Sequence, residues 1–324
     1  MDIRTQARQL ERTLRCLSII AATVVIIAAA TGMSAAAADA PIPGIGPTGP
    51  AKEIAGTFKF TEGPATDRDG VVYFTDVPVQ KIYKIGPDYT SSVFRDESNG
   101  ANGLMFNAAG EIVSCQKNGL VVWNPKTKKE RVLADKYDGK ALNRPNDLVV
   151  DATGGAYFTD PSSALDGKAN QPVAGVFYVT VDGKLTRLID DLIFPNGIIL
   201  SPDEKTLYVI PFLREQMMAY PVTAPGKLGP GRVFCTIEQP EGKKGGGGDG
   251  CAVDARGNLY IAAATGVQVF DPAGKLLGTI KVPKTPSNCE FGGKDLKTLY
   301  VTARTGVYAF PMEITGHRFP GGPK

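Results

Sequence analysis

From residue 53 to residue 312 the chain is a succession of short apolar runs set between turns. Runs such as "QKIYKIG", "GLVVWNP", "GVFYVTV", "QMMAYPV", "VQVFDPA" and "GVYAFPM" are bounded by Gly, Pro, Asp or Asn, the punctuation of β-strands. Nowhere here do apolar positions recur with the 3.6-residue spacing of an amphipathic helix. The pattern predicts an all-β region.

The runs also repeat. A turn followed by a Tyr-bearing or β-branched strand recurs as "DGVVYFTD", "AGEIVSCQ", "TGGAYFTD", "DEKTLYVI", "RGNLYIAA" and "DLKTLYVT". Aligned, these put Tyr73, Val113, Tyr157, Tyr208, Tyr260 and Tyr300 in one column, at spacings of 40, 44, 51, 52 and 40 residues. Periods of this size signal radial or solenoid repetition. Six four-stranded units arranged around an axis leave only short sheet edges, so the expected fold is a six-bladed β-propeller. The last unit offers three strands before Pro311, and "EIAGTFKF" (53–60) is expected to supply the fourth and lock the ring.

Eleven or twelve positions before each column residue stands a side chain carrying oxygen: Glu62, Asn102, Asn146, Asn196, Asp249 and Asn288. That offset marks the start of the preceding strand, which in a propeller blade lies beside the central channel. Asn-Gly and Asp-Gly also form turns for backbone reasons alone. This alternative suits Asn102, Asn196 and Asp249 but fits Glu62, Asn146 and Asn288 poorly. Two carboxylates among amides, with no imidazole, make a hard-oxygen donor set that favours calcium, with zinc, manganese and magnesium as alternatives.

Residues 1–38 read differently. Arg4, Arg8, Arg12 and Arg15 precede the apolar run "CLSIIAATVVIIAAATGMSAAAADA", the pattern of a secretory signal or of an uncleaved anchor. Its removal would lower the formal charge from +3 to +1, leaving no basic patch for nucleic acid and no membrane partner unless the anchor is retained. Export to the periplasm or beyond is therefore expected. Residues 39–52 read as a Pro/Gly-rich linker and 313–324 as a flexible tail. Cys115, Cys235, Cys251 and Cys289 match no zinc motif. The only histidine, His317, lies in the tail, which excludes a Ser-His-Asp triad and a His-rich metal site inside the repeat region. The Gly-rich stretch "EQPEGKKGGGGDG" (238–250) reads as a surface connection or as a lid.

Taken together, "FTEGP", "GANGL", "LNRPNDLVVD", "PNGI", "GDGCAVDARGNLYIA" and "SNCEFGG" resemble the SMP-30/gluconolactonase/LRE-like family over residues 53 to 312. The resemblance implies a six-bladed propeller with one divalent cation in the channel. It implies Glu62, Asn196 and Asp249 as cation ligands and Asn146 at or near the cation while also facing substrate. It further implies Arg144 as a substrate-binding residue, Asn102 as a channel contact, and Asp249 as the base. The activity implied is lactone hydrolysis, with a small sugar-type lactone as the partner. Rival readings are a strictosidine-synthase-like or paraoxonase-like enzyme, or a non-catalytic exported propeller. Asp147 reads as a backbone cap, and Gln116 stands near where many bacterial relatives carry a histidine.

Overall fold

The computed structural model describes residues 41–161 and 169–323, so the signal or anchor reading of residues 1–38 lies outside the described residues. Six antiparallel sheets surround a central axis, and in five of them the strands follow one another outward in chain order, the sixth taking its outermost strand from the N-terminal segment. The innermost strands are Thr61–Thr66, Leu104–Phe106, Leu148–Val150, Pro195–Leu200, Cys251–Val253 and Asn288–Gly292. Each pairs with the strand that carries the column residue, as Ala65 with Tyr73, Val149 with Tyr157 and Ala252 with Tyr260. Blade four carries a further short hairpin strand, Lys227–Leu228. The repeat survives in the register because each blade buries the same column against its neighbours; Tyr157 and Tyr260 are almost wholly buried.

Ring closure uses the N-terminal segment, starting one residue earlier than the sequence suggests. Lys52–Glu53 pairs with Gly306–Pro311 and completes blade six, and Ile54 N–H continues the ladder to Val307 O at 2.8 Å. From Ala55 the chain leaves that edge for blade one, where Phe58 packs edge-on against Phe74 and Tyr83. The Pro/Gly-rich lead-in is not a free linker. Ile42 and Ile45 sink into the apolar cluster of blades five and six, which holds the segment despite its lack of strand pattern.

The C-terminal segment is likewise docked. It crosses the far ends of the innermost strands: His317 N–H donates to Val253 O at 3.0 Å, and Phe319 packs against the clusters of blades two to five. Gly321 lies so close to the Phe106 carbonyl that a Cβ would not fit. The channel is thereby covered at the end opposite Glu62 and Asp249. Cys115, Cys235, Cys251 and Cys289 are all buried and unpaired.

Candidate functional site

The six oxygen-bearing residues stand where the innermost strands begin, and two aspartates aim the approach to them. Asp76 ends the second strand of blade one and accepts from Lys59 N–H at 2.9 Å and Phe60 N–H at 3.0 Å, just before Glu62. Asp160 does the same in blade three for Asn143 N–H at 2.8 Å and Arg144 N–H at 2.7 Å, just before Asn146.

Neighbouring blades are stitched beside the axis by a ring of hydrogen bonds, made by the innermost strands and, through Thr75 and Thr159, by two second strands. Thr75 Oγ1 donates to Asn102 O, Gly103 N–H to Asn146 O and Thr159 Oγ1 to Asn196 O. Gly197 N–H donates to Asp249 O, Gly250 N–H to Ser287 O, and Ser287 Oγ to Thr61 O. Here lies the reason for the glycine that follows Glu62, Asn102, Asn196 and Asp249. It marks a close approach between blades, not a reversing turn: a Cβ at Gly197 would press into the Asp249 carbonyl.

Inside this ring five side chains converge. Glu62, Asp147, Asn196 and Asn288 are buried and Asp249 is half-buried. Burial raises the Glu62 carboxyl well above its usual value, and the charges of Asp249 and Asp147 add to the rise while Asn288 hydrogen-bonds to it. Asp249 is pushed up to about 7, chiefly by burial; Arg304 pulls against this, Asp147 adds to it, and Asn196 hydrogen-bonds to the carboxylate. Asp147 also rises to about 7 through burial. Its Oδ1 accepts from Leu148 N–H at 3.0 Å, the cap expected from the sequence. Its Oδ2 accepts from Asn288 Nδ2 at 3.3 Å across the axis, which makes it a channel residue as well.

The remaining candidates lie nearer the mouth. Asn102 and Asn146 are half-buried, and their side-chain amides have no hydrogen-bond partner among the described residues; their backbones serve the ring. Arg144 is exposed on the rim. Gln116 is locked between Ser114 Oγ at 3.1 Å and Asn99 Nδ2 at 3.3 Å. Below the site, a cavity of about 20 Å³ is lined by all six innermost strands, among them Asp147, Asn288 and Glu290. Glu290, whose carboxyl burial pushes up to about 8, was not singled out by the sequence, nor was Arg304. The repeated "YFTD" was the available signal for Asp76 and Asp160; Arg304 reads only as a loop residue. The Gly-rich stretch is pinned to the blade-four hairpin through Gly245 N–H to Glu215 Oε1 at 2.8 Å and Gly247 N–H to Phe212 O at 2.7 Å, the bonding of a surface connection.

This arrangement suits a hard cation. Among the described residues no three imidazole, thiolate or carboxylate groups lie close enough together to form a cation cage by themselves, so amide oxygens would have to complete the donor set. What converges is Glu62 beside Asp249, the charge of Asp249 adding to the rise of the Glu62 carboxyl, flanked by amide oxygens, a set that a divalent cation would relieve.

A family profile described as SMP-30/Gluconolactonase/LRE-like region matches residues 60–305. The chain is 31% identical over 285 residues to a gluconolactonase of Zymomonas mobilis, covering 80% of each. It is 29% identical to a regucalcin of Xenopus laevis, over 77% of this chain and 85% of that protein. A solved gluconolactonase structure from Xanthomonas campestris superposes with a TM-score of 0.72 at 29% identity, covering 81% of this chain and 89% of the other.

Proposed function

We propose that this chain, which belongs to the SMP-30/gluconolactonase/LRE-like family of lactone-hydrolysing enzymes, opens a sugar-type lactone with one divalent cation held at the channel mouth. The observation that carries the cation is the pairing of Glu62 and Asp249, whose carboxyls are both raised by burial and, in Glu62, by the charge of Asp249 itself. Glu62, Asn196 and Asp249 would hold it, with Asn146 at its edge; calcium suits the donors best, and zinc, manganese or magnesium are the alternatives. When bound, the cation supplies Lewis-acid polarisation of the ester carbonyl.

The chain's own residues do the rest. Arg144 on the rim and the free amides of Asn146 and Asn102 orient ring oxygens and hydroxyls. Asp249 takes the proton of the attacking water, the role for which no histidine exists in the channel. Asn288 holds Glu62 of the adjoining blade and Asp147 of the facing blade in place. Export is part of the proposal and rests on residues 1–38 alone.

The test is hydrolysis of aldonolactones and simple lactones by the metal-stripped chain, titrated with calcium, magnesium, manganese and zinc. Turnover should appear on addition of one of these cations and vanish again with chelator. A chain that binds the cation but opens no lactone would overturn the activity and leave a binding propeller. Asp249→Ala should reduce turnover at least about a hundredfold, as loss of a positioned base does.

A further inference from the structure

We infer that Arg304 is a specificity-determining residue which, together with Arg144, selects lactones bearing an anionic substituent, a carboxylate or a phosphate ester, over neutral ones. The inference rests on the lactonase reading and names the substrate class within it.

Arg304 occupies the hairpin between Thr298–Ala303 and Gly306–Pro311 in blade six. Its carbonyl accepts from Thr61 N–H at 2.7 Å and from Thr61 Oγ1 at 3.2 Å, and Thr61 immediately precedes Glu62. The residue is therefore fastened to the rim directly above the carboxylates. Its positive φ of 55° is the one a two-residue hairpin loop requires at its first position, and it holds the residue in a tight turn at the rim. The guanidinium lies 5.0 Å from the centre of the Phe60 ring, a stacking that limits where the charge can go.

Arg304 is exposed and takes part in none of the ion pairs among the described residues. Nor does Arg144, whose backbone Asp160 fixes on the approach to blade three. Blades three and six face each other across a ring of six, and the Asn288–Asp147 hydrogen bond spans the same diameter below. Two guanidiniums with no ion pair among the described residues thus bracket the mouth from opposite sides. A neutral sugar lactone can be held by hydroxyl contacts to one arginine. A second, stacked and unpaired, matches an anion remote from the reacting ester, which guanidinium groups bind in a fork that ammonium cannot reproduce.

The experiment compares gluconolactone with a glucarolactone, which carries a free carboxylate, and with 6-phosphogluconolactone. Wild type, Arg304→Ala and Arg304→Lys are assayed with the activating cation and checked for folding by circular dichroism. Wild type should favour an anionic lactone by about tenfold or more in kcat/KM. Arg304→Ala should lower that ratio about tenfold, mainly through KM, and Arg304→Lys by less. Added salt should shrink the preference. Whichever anionic lactone shows the larger effect distinguishes carboxylate from phosphate. A ratio unchanged in Arg304→Ala, or a wild-type preference for the neutral lactone, overturns the inference. If no lactone turns over with any cation, the hydrolase reading fails on its own. Calorimetric binding of glucarate against neutral glucitol then decides the arginine: selective loss of glucarate binding in Arg304→Ala sustains an anion site, and glucarate binding unchanged in that variant removes it.

Discussion

Asp249 has to act as a carboxylate in a place that favours the acid. Its carboxyl stands near 7 in the fold, against about 3.9 in an unfolded chain, so protonation favours the folded state. The cation-free protein should therefore carry this stabilisation in full below about pH 4 and lose it as the pH rises to about 7; Asp147 acts in the same direction. A bound cation reverses the preference, because only the carboxylate binds it. Melting temperatures of chelator-treated protein should fall between pH 4 and 7, with calcium restoring them most strongly at the upper end. Profiles that are flat and identical with and without calcium would contradict this. Gly197 offers a second test: in Gly197→Ala the new methyl would meet the Asp249 carbonyl, and urea unfolding should show a loss of roughly 2–4 kcal/mol, with weaker cation binding alongside.

Strands explain which features could be read in advance. The blades were legible because each second strand sends an aromatic or branched side chain into the same inter-blade packing, and the column of oxygen-bearing residues because each innermost strand begins at a similar height on the axis. What escaped the pattern did so for physical reasons. Asp147 looks like a cap because one of its oxygens is a cap, and the other crosses to Asn288 from a strand some 140 residues away in sequence. Arg304 is read as loop because nothing local records that its carbonyl is tied to Thr61. Ile42 and Ile45 have no strand partner to give them a period, yet they are core. The closing element can be tested directly. Ile54 is only 1% exposed where the N-terminal strand leaves blade six, so Ile54→Ala should cost about 2–4 kcal/mol in urea unfolding. A loss below about 1 kcal/mol would mean that closure contributes little.

At the scale of the whole molecule, six blades act as a device for bringing oxygen atoms from distant parts of the chain to one axis. Stability and chemistry share the same residues: the glycines and threonines that stitch the blades together adjoin the groups that would hold cation and substrate. Metal binding should accordingly stabilise the entire ring, raising the melting temperature in proportion to the logarithm of free calcium above its dissociation constant. An unchanged melting temperature at saturating calcium would separate the site from the fold. The segment from Gly316 to Pro323, laid over the far ends of the innermost strands, gives the channel a floor. Among the described residues this leaves the mouth beside Glu62 and Asp249 as the open end. Substrate and product of the proposed reaction would then share one route, and accumulated product should slow turnover by occupying it.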